Sequence, residues 1–526
     1  MRRIVLFSVC SLILLLSAVV SAQDGAASDN AAFITDFTAK LAYLERQVSM
    51  ARWQYLTTGR ADSLDEYQEW YETLVGNSKN PEDFTHRITR EKDTRLLRQL
   101  ELLRRLTLRH VVDDSPEVKQ YLDSQTRNLI DKPIEFEGKQ YTADEMQAML
   151  GTESNRQRRR TIYEAMLVPA AAKAEVIAQA AKLRNAAAAE FGYSSFYEMM
   201  LEANGIDKGQ FEELLAEIDK LTEEPYQKIV DSLHRALNTS RLSAWDIDYA
   251  FRRATGQSAG YFVSDNFVRL AKATLDGLGI QMDALPIYFE PVAEGVSLEN
   301  PELITVAIPH DFRIALSTAG GDDRFNRFVA AIFESLYGYN MDNAEFMFLR
   351  PPAPCLNEAL YWLVTDMVET DSWNRKYAGM PEPLVLTMRT KHRFYRLYRI
   401  RQALAMIAFE RALYKDPLAD LNTHYTAIQD KYLDLTEIAN GFPWAAEGDF
   451  IGAPVQSANE LVGFVIGAQV SHYLSEKYGS LLDNQRTREF LVQNIFRFGA
   501  REDWQLLIER ATGEPISPNY LISLSR

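Results

Sequence analysis

Phe328-Val329-Ala330-Ala331-Ile332-Phe333-Glu334-Ser335-Leu336-Tyr337-Gly338-Tyr339 holds a single charged side chain, Glu334, among apolar and aromatic neighbours. The apolar residues recur every three to four positions, so Phe328, Phe333, Leu336 and Tyr337 line the buried stripe of a core helix. With the polar residues before it, the stretch predicts a helix over 322–339.

The same period runs outward in both directions. It predicts helices over 36–56, 63–74, 90–108, 115–129 and 143–150. A long alanine-rich segment over 158–191 is one helix or two, divided near Val168-Pro169. A further helix covers 208–236, with Pro225 marking a kink or a restart. Others follow over 262–278, 357–368, 384–414, 421–440, 457–478, 484–498 and 503–512. Strand signals are few. Residues 287–291 and 303–308, with a polar loop between them, predict a small sheet. Linkers rich in Pro, Gly and Ser are absent after residue 31, so residues 23–526 are expected to form one helical domain in two lobes, with distant segments meeting across a cleft.

The chain has 526 residues, 47% of them apolar and 25% charged, enough for a sizeable core. Residues 1–22 have the pattern of a cleaved signal peptide. Arg2 and Arg3 precede an apolar run, and Val20-Ser21-Ala22 supplies small residues for cleavage near Ala22. The run is short for a membrane span, and no later window is long and uncharged enough for one. The mature protein is therefore expected to be periplasmic or secreted. Losing the signal removes Cys10 and leaves Cys355 alone, so no internal disulfide can form. A net charge of -16 argues against nucleic acid as a partner, because phosphate binding needs a basic face. The basic run Arg156-Gln157-Arg158-Arg159-Arg160 reads as a solvated helix face.

Histidine is scarce. His86, His110, His234, His310, His392, His424 and His472 are the full set, and no two are close enough to share a helix turn. H-E-x-x-H and related zinc helices are thereby excluded. Gly256-Gln257-Ser258-Ala259-Gly260 matches the serine nucleophile elbow, but the helix-like, charged residues before it are not the buried strand that elbow requires.

Several segments resemble helical zinc peptidases of the oligoendopeptidase and angiotensin-converting-enzyme kind. The run from Leu183-Arg184-Asn185 to Phe196-Tyr197-Glu198 resembles a recurrent stretch of the former, and Trp245-Asp246-Ile247-Asp248-Tyr249 their Trp-Asp turn. Asp311-Phe312-Arg313-Ile314 is similar to the segment before the zinc helix of the latter. The C-terminal part, from Leu461-Val462-Gly463-Phe464 to Gly513-Glu514-Pro515, is similar to the end of the same enzymes. The resemblance covers most of the mature chain. It implies a mainly α, two-lobed zinc-peptidase-like fold with a deep cleft and a small β-sheet.

On that alignment the zinc helix of the family falls on Phe333-Glu334-Ser335-Leu336-Tyr337. The general-base glutamate is kept as Glu334, and both histidines are replaced by aromatic residues. Leu356-Asn357-Glu358-Ala359-Leu360 resembles the helix that supplies the third ligand, which puts Glu358 in that role. In the active family, zinc lowers the pKa of bound water from about 15.7 to roughly 7, and the glutamate takes its proton. Phenylalanine offers zinc no lone pair, and tyrosine stays protonated near its usual pKa of about 10. The C-terminal positions that stabilise the transition state in the family fall on Pro454 and Phe464, and no histidine lies between His424 and His472.

The resemblance thus implies a relative without its metal and with no catalytic residue. It would bind a peptide or an extended protein segment in the cleft, with Phe333, Glu334, Tyr337 and Glu358 at the floor. Two rivals are a hydrolase with a rearranged donor set, such as Glu334, Glu358 and a distant histidine, and a structural or assembly protein of the cell envelope.

Overall fold

The computed structural model describes residues 29–129, 132–255, 258–436 and 439–522. The signal segment lies outside the described residues, as do Gly256 and Gln257 of the serine loop. The architecture is mainly α with two small sheets. Among the described residues, no helix is long and apolar enough to cross a membrane.

The charged and aromatic groups of interest lie on eight helices. They are α1 (Asp29–Thr58), α2 (Thr94–His110), α3 (Ala170–Glu190), α4 (Lys208–Leu237), α5 (Asp322–Tyr339), α6 (Cys355–Val368), α7 (Glu382–Lys415) and α8 (Gln456–Tyr478). α5 has the bounds its apolar period predicts. Pro169 splits the alanine-rich segment by standing at the N-cap of α3, where its missing N–H costs nothing. α4 instead runs through Pro225 without a break. The expected helix over 421–440 stops at Leu433: Asp434 turns left-handed at φ 53°, and Leu435 bridges to Leu242. The one over 484–498 stops at Asn494 and continues as a 3-10 turn, Phe496–Arg501. Ala244–Thr255 is helical, so the Trp-Asp segment opens a helix. That helix, not a strand, precedes Ser258.

The two predicted strands are present as Ile287–Pro291 and Glu302–Ala307, but they do not pair with each other. Asp311–Leu316 lies between them, parallel to the first and antiparallel to the second. Its pattern is weak because Asp311 and Arg313, bonded to each other at 2.9 Å, occupy the outward positions of a short strand. Phe312 and Ile314 point inward, and the Phe312 ring packs against Gly338 of α5. A short hairpin, Ile134–Phe136 with Lys139–Tyr141, completes the β structure.

The basic run is not a solvated face. Asp246 is fully buried and receives Arg156 at 2.7 Å and Arg159 at 2.9 Å, and Arg159 is 2% exposed. A buried carboxylate must be paired, so two of the four arginines fasten this helix to the Trp-Asp helix. Arg158 and Arg160 remain at the surface, with Glu137 and Glu164.

α5, α6, α7 and α8 share one apolar core. α6 and α8 pack backbone to backbone. A Cβ on Gly463 would stand 2.4 Å from Glu358 Cβ and 2.8 Å from the Cys355 carbonyl oxygen, and one on Gly467 would stand 2.8 Å from Trp362 Cβ. Nothing larger than glycine fits at Gly463 unless the helices part. Gly463→Ala should therefore destabilise the fold by about 1–3 kcal/mol or more. Urea denaturation would check this; an unchanged midpoint would mean that the contact is looser than described.

Candidate functional site

α5 presents two different faces. Phe328 and Phe333 show no exposed surface and Tyr337 shows 1%, all within the apolar core. The Tyr337 ring stacks on Phe496 at 4.8 Å, and its hydroxyl has no hydrogen-bond partner among the described residues. Burial, then the nearby Cys355 thiol, pushes that phenol well above its usual pKa. Positions 333 and 337 therefore offer a carbocycle and a neutral phenol, both directed into the protein.

Glu334, between them, keeps partial solvent contact. Dense protein around it nevertheless pushes its carboxyl up to about 8, with the Glu358 charge adding to the effect. Glu358, in the first turn of α6, is also partly accessible, and its Oε1 accepts a hydrogen bond from Gln456 Nε2 at 2.7 Å. Burial and the Glu460 charge raise its pKa, while Arg327, Arg399 and the Gln456 bond oppose the rise. Of the four side chains predicted for the floor, Glu334 and Glu358 lie near enough for the Glu358 charge to act on Glu334, and both keep partial solvent contact. Phe333 and Tyr337 lie in the interior.

Charges from α5, α7 and α8 lie around this pair. Arg327 of α5 bonds Asp323 at 3.1 Å and lies over the Tyr361 ring at 4.8 Å. The Tyr361 hydroxyl donates to Asp323 at 2.6 Å. Arg399 of α7 pairs with Glu460 of α8. Further along, Lys391 bonds Asp322 at 2.5 Å, and His392 stands 3.5 Å from Asp322 and 3.7 Å from Glu369. Sequence patterning passed over Arg327, Tyr361, Arg399 and Glu460. A signal existed for Glu460, the one charge in the first half of an otherwise apolar helix, and for Arg399, inside a helix whose neighbours at 397 and 400 are buried.

Among the described residues, no group of three His, Cys, Asp or Glu side chains stands close enough to hold a metal ion. His392 faces carboxylates other than Glu334 and Glu358. Phe464, at a position tied to transition-state stabilisation by resemblance, is 2% exposed and packs on the Trp362 ring. A pocket of about 450 Å³ lies at the far end of α5, between Leu336, Tyr339, Asn340, Gln281 and Arg488; none of the four predicted residues lines it.

The helical layers and the small sheet form a mainly α, peptidase-like fold. Among solved structures, the crystal structure of the M32 carboxypeptidase from Deinococcus radiodurans R1 shares it, with a TM-score of 0.60 over 94% of this chain and 98% of that one, at 13% identity. No family model matches the sequence, and no curated protein matches it.

The raised carboxyl of Glu334 has a definite pH signature. Its folded pKa of about 8 lies above the unfolded value of about 4.3. The folded chain therefore holds the extra proton within that window, and stability falls as pH rises through it. Glu334→Gln has no such proton to lose. Between about pH 5 and pH 8 the wild type should lose stability relative to this variant; parallel urea midpoints across that range would refute the assignment.

Proposed function

We propose that this chain is an exported, catalytically inactive relative of zinc metallopeptidases, which binds a peptide or an extended protein segment in its recess. The observation that carries the reading is the side chains at 333 and 337. Phe333 and Tyr337 fill the core at the positions where the resembling enzymes carry imidazoles, while Glu334 and Glu358 keep partial solvent contact. One carboxylate ligand is kept where three ligands are needed, and it is committed to Gln456. The residues do not fit zinc, so no hydrolytic step is derived.

A polar floor made by α5, α6, α7 and α8 persists. Glu334 and Glu358 accept hydrogen bonds from a bound backbone or cation. The Arg327–Asp323 and Arg399–Glu460 pairs border them and hold fixed charges against which an extended chain can register. The signal-like segment at the N-terminus supports export.

Metal analysis of the purified mature protein should find zinc well below stoichiometric. Stoichiometric zinc, lost on chelation together with peptidase activity, would overturn the inactive assignment. Phe333→His combined with Tyr337→His should restore stoichiometric zinc if the helix and Glu358 keep the register of the resembling enzymes. For the binding half, a panel of unstructured peptides should raise the melting temperature in a thermal-shift assay. A panel that shifts nothing would remove the case for a peptide ligand.

A further inference from the structure

The cavity of about 450 Å³ at the far end of α5 has three walls. They are the last turn of α5, the turn over residues 279–285, and the helix Gln485–Asn494. The middle wall is held by its own backbone. Gly279 takes φ 70°, a left-handed conformation open to glycine, and a Cβ there would stand 2.9 Å from Gln485 Cγ. Ile280 N donates to the Leu275 carbonyl at 2.9 Å, and Leu285 N to the Met282 carbonyl at 3.1 Å. The cavity is therefore pre-formed, and its volume falls within the range of about 300–1,000 Å³ usual for sites of small ligands.

Its lining combines an apolar floor with one guanidinium. Leu336 and Ile280 are 3% and 4% exposed, and Leu285 and Val492 pack against the same core. Arg488 lines the cavity with them and is partly buried. Its Nη1 donates to the Gly279 carbonyl at 2.7 Å, which ties the guanidinium to the facing wall. Among the described residues no carboxylate pairs with Arg488, and its Nε and Nη2 have no acceptor. Those two groups form the edge of the guanidinium that a carboxylate takes side-on, with two parallel hydrogen bonds.

The last carbonyls of a helix repel an anion. At the end of α5, Asn340 takes up two of them: its Nδ2 donates to the Leu336 carbonyl at 2.7 Å, and its backbone N to the Tyr337 carbonyl at 3.1 Å. Glu489, exposed on the same helix as Arg488, also lines the cavity and disfavours a second negative charge on a ligand. The lining thus suits an apolar body with a single negative head. We propose that this cavity binds a small monocarboxylate bearing an apolar chain or ring, its body on Leu336 and Ile280 and its carboxylate on the free edge of Arg488. None of Phe333, Glu334, Tyr337 and Glu358 lines the cavity, so the site stands independently of the function proposed above.

Calorimetric titration of the full chain with sodium 3-phenylpropionate and with sodium octanoate tests this. The comparisons are 3-phenylpropanamide, which keeps the body without the charge, and sodium acetate, which keeps the charge without the body. Saturable binding of one or both larger carboxylates is expected, with the amide and acetate weaker by about tenfold or more. Arg488→Met, which keeps an apolar stem, should weaken the carboxylate by about tenfold or more. Ala284→Phe, at an exposed position lining the cavity, should block binding by filling the volume while the guanidinium stays in place. Arg486→Met, exposed on the same helix, should leave binding unchanged. No saturable binding of either larger carboxylate, equal affinity for the amide and the carboxylate, or wild-type affinity in Arg488→Met or Ala284→Phe would overturn the site.

Discussion

The contact on which the surroundings of Glu358 depend is the backbone-to-backbone crossing of α6 and α8. Two glycines a helical turn apart, Gly463 and Gly467, remove the side chains that would hold the helices apart. Glu358 then lies against α8 itself, within reach of Gln456. The same closeness brings Glu460 near enough to raise Glu358, and sets Arg399 of α7 between them in charge terms. Wider separation would leave these groups in water, where their mutual influence falls several-fold.

Around that crossing, volume and charge are handled by different side chains. Volume is filled by aromatic rings: Phe333 and Tyr337 close the interior of α5, and Tyr337 stacks on Phe496. Close packing explains why large rings stand there, since a void behind the helix would cost stability. Glu334 and Glu358 carry charge at a more accessible edge. Burial moves both carboxyls toward the protonated state, with the Glu358 charge adding to the effect on Glu334 and the Glu460 charge to that on Glu358.

Elsewhere buried charge is handled by pairing. Asp246 takes two arginines, and Arg98 and Arg105 share Asp503. Against that background, Arg109 stands out as an enclosed cation whose bonds end on a carbonyl.

The helices were legible in the sequence because a 3.6-residue period is a local property; α5 appears with the bounds its pattern dictates. So were two edge strands. The features that the chain did not disclose depend on contacts between remote segments. Asp311–Leu316 became the central strand only because neighbours on both sides took its hydrogen bonds. The arginine run looked solvated until Asp246, nearly ninety positions away, was buried against it. The helix after residue 421 ended where Leu435 met Leu242. Sequence determined which side chains exist and which local turns they favour, including the lack of imidazoles near Glu334. Only tertiary packing decided which of them water can reach and which charges are neutralised, because burial and pairing are properties of space rather than of order along the chain.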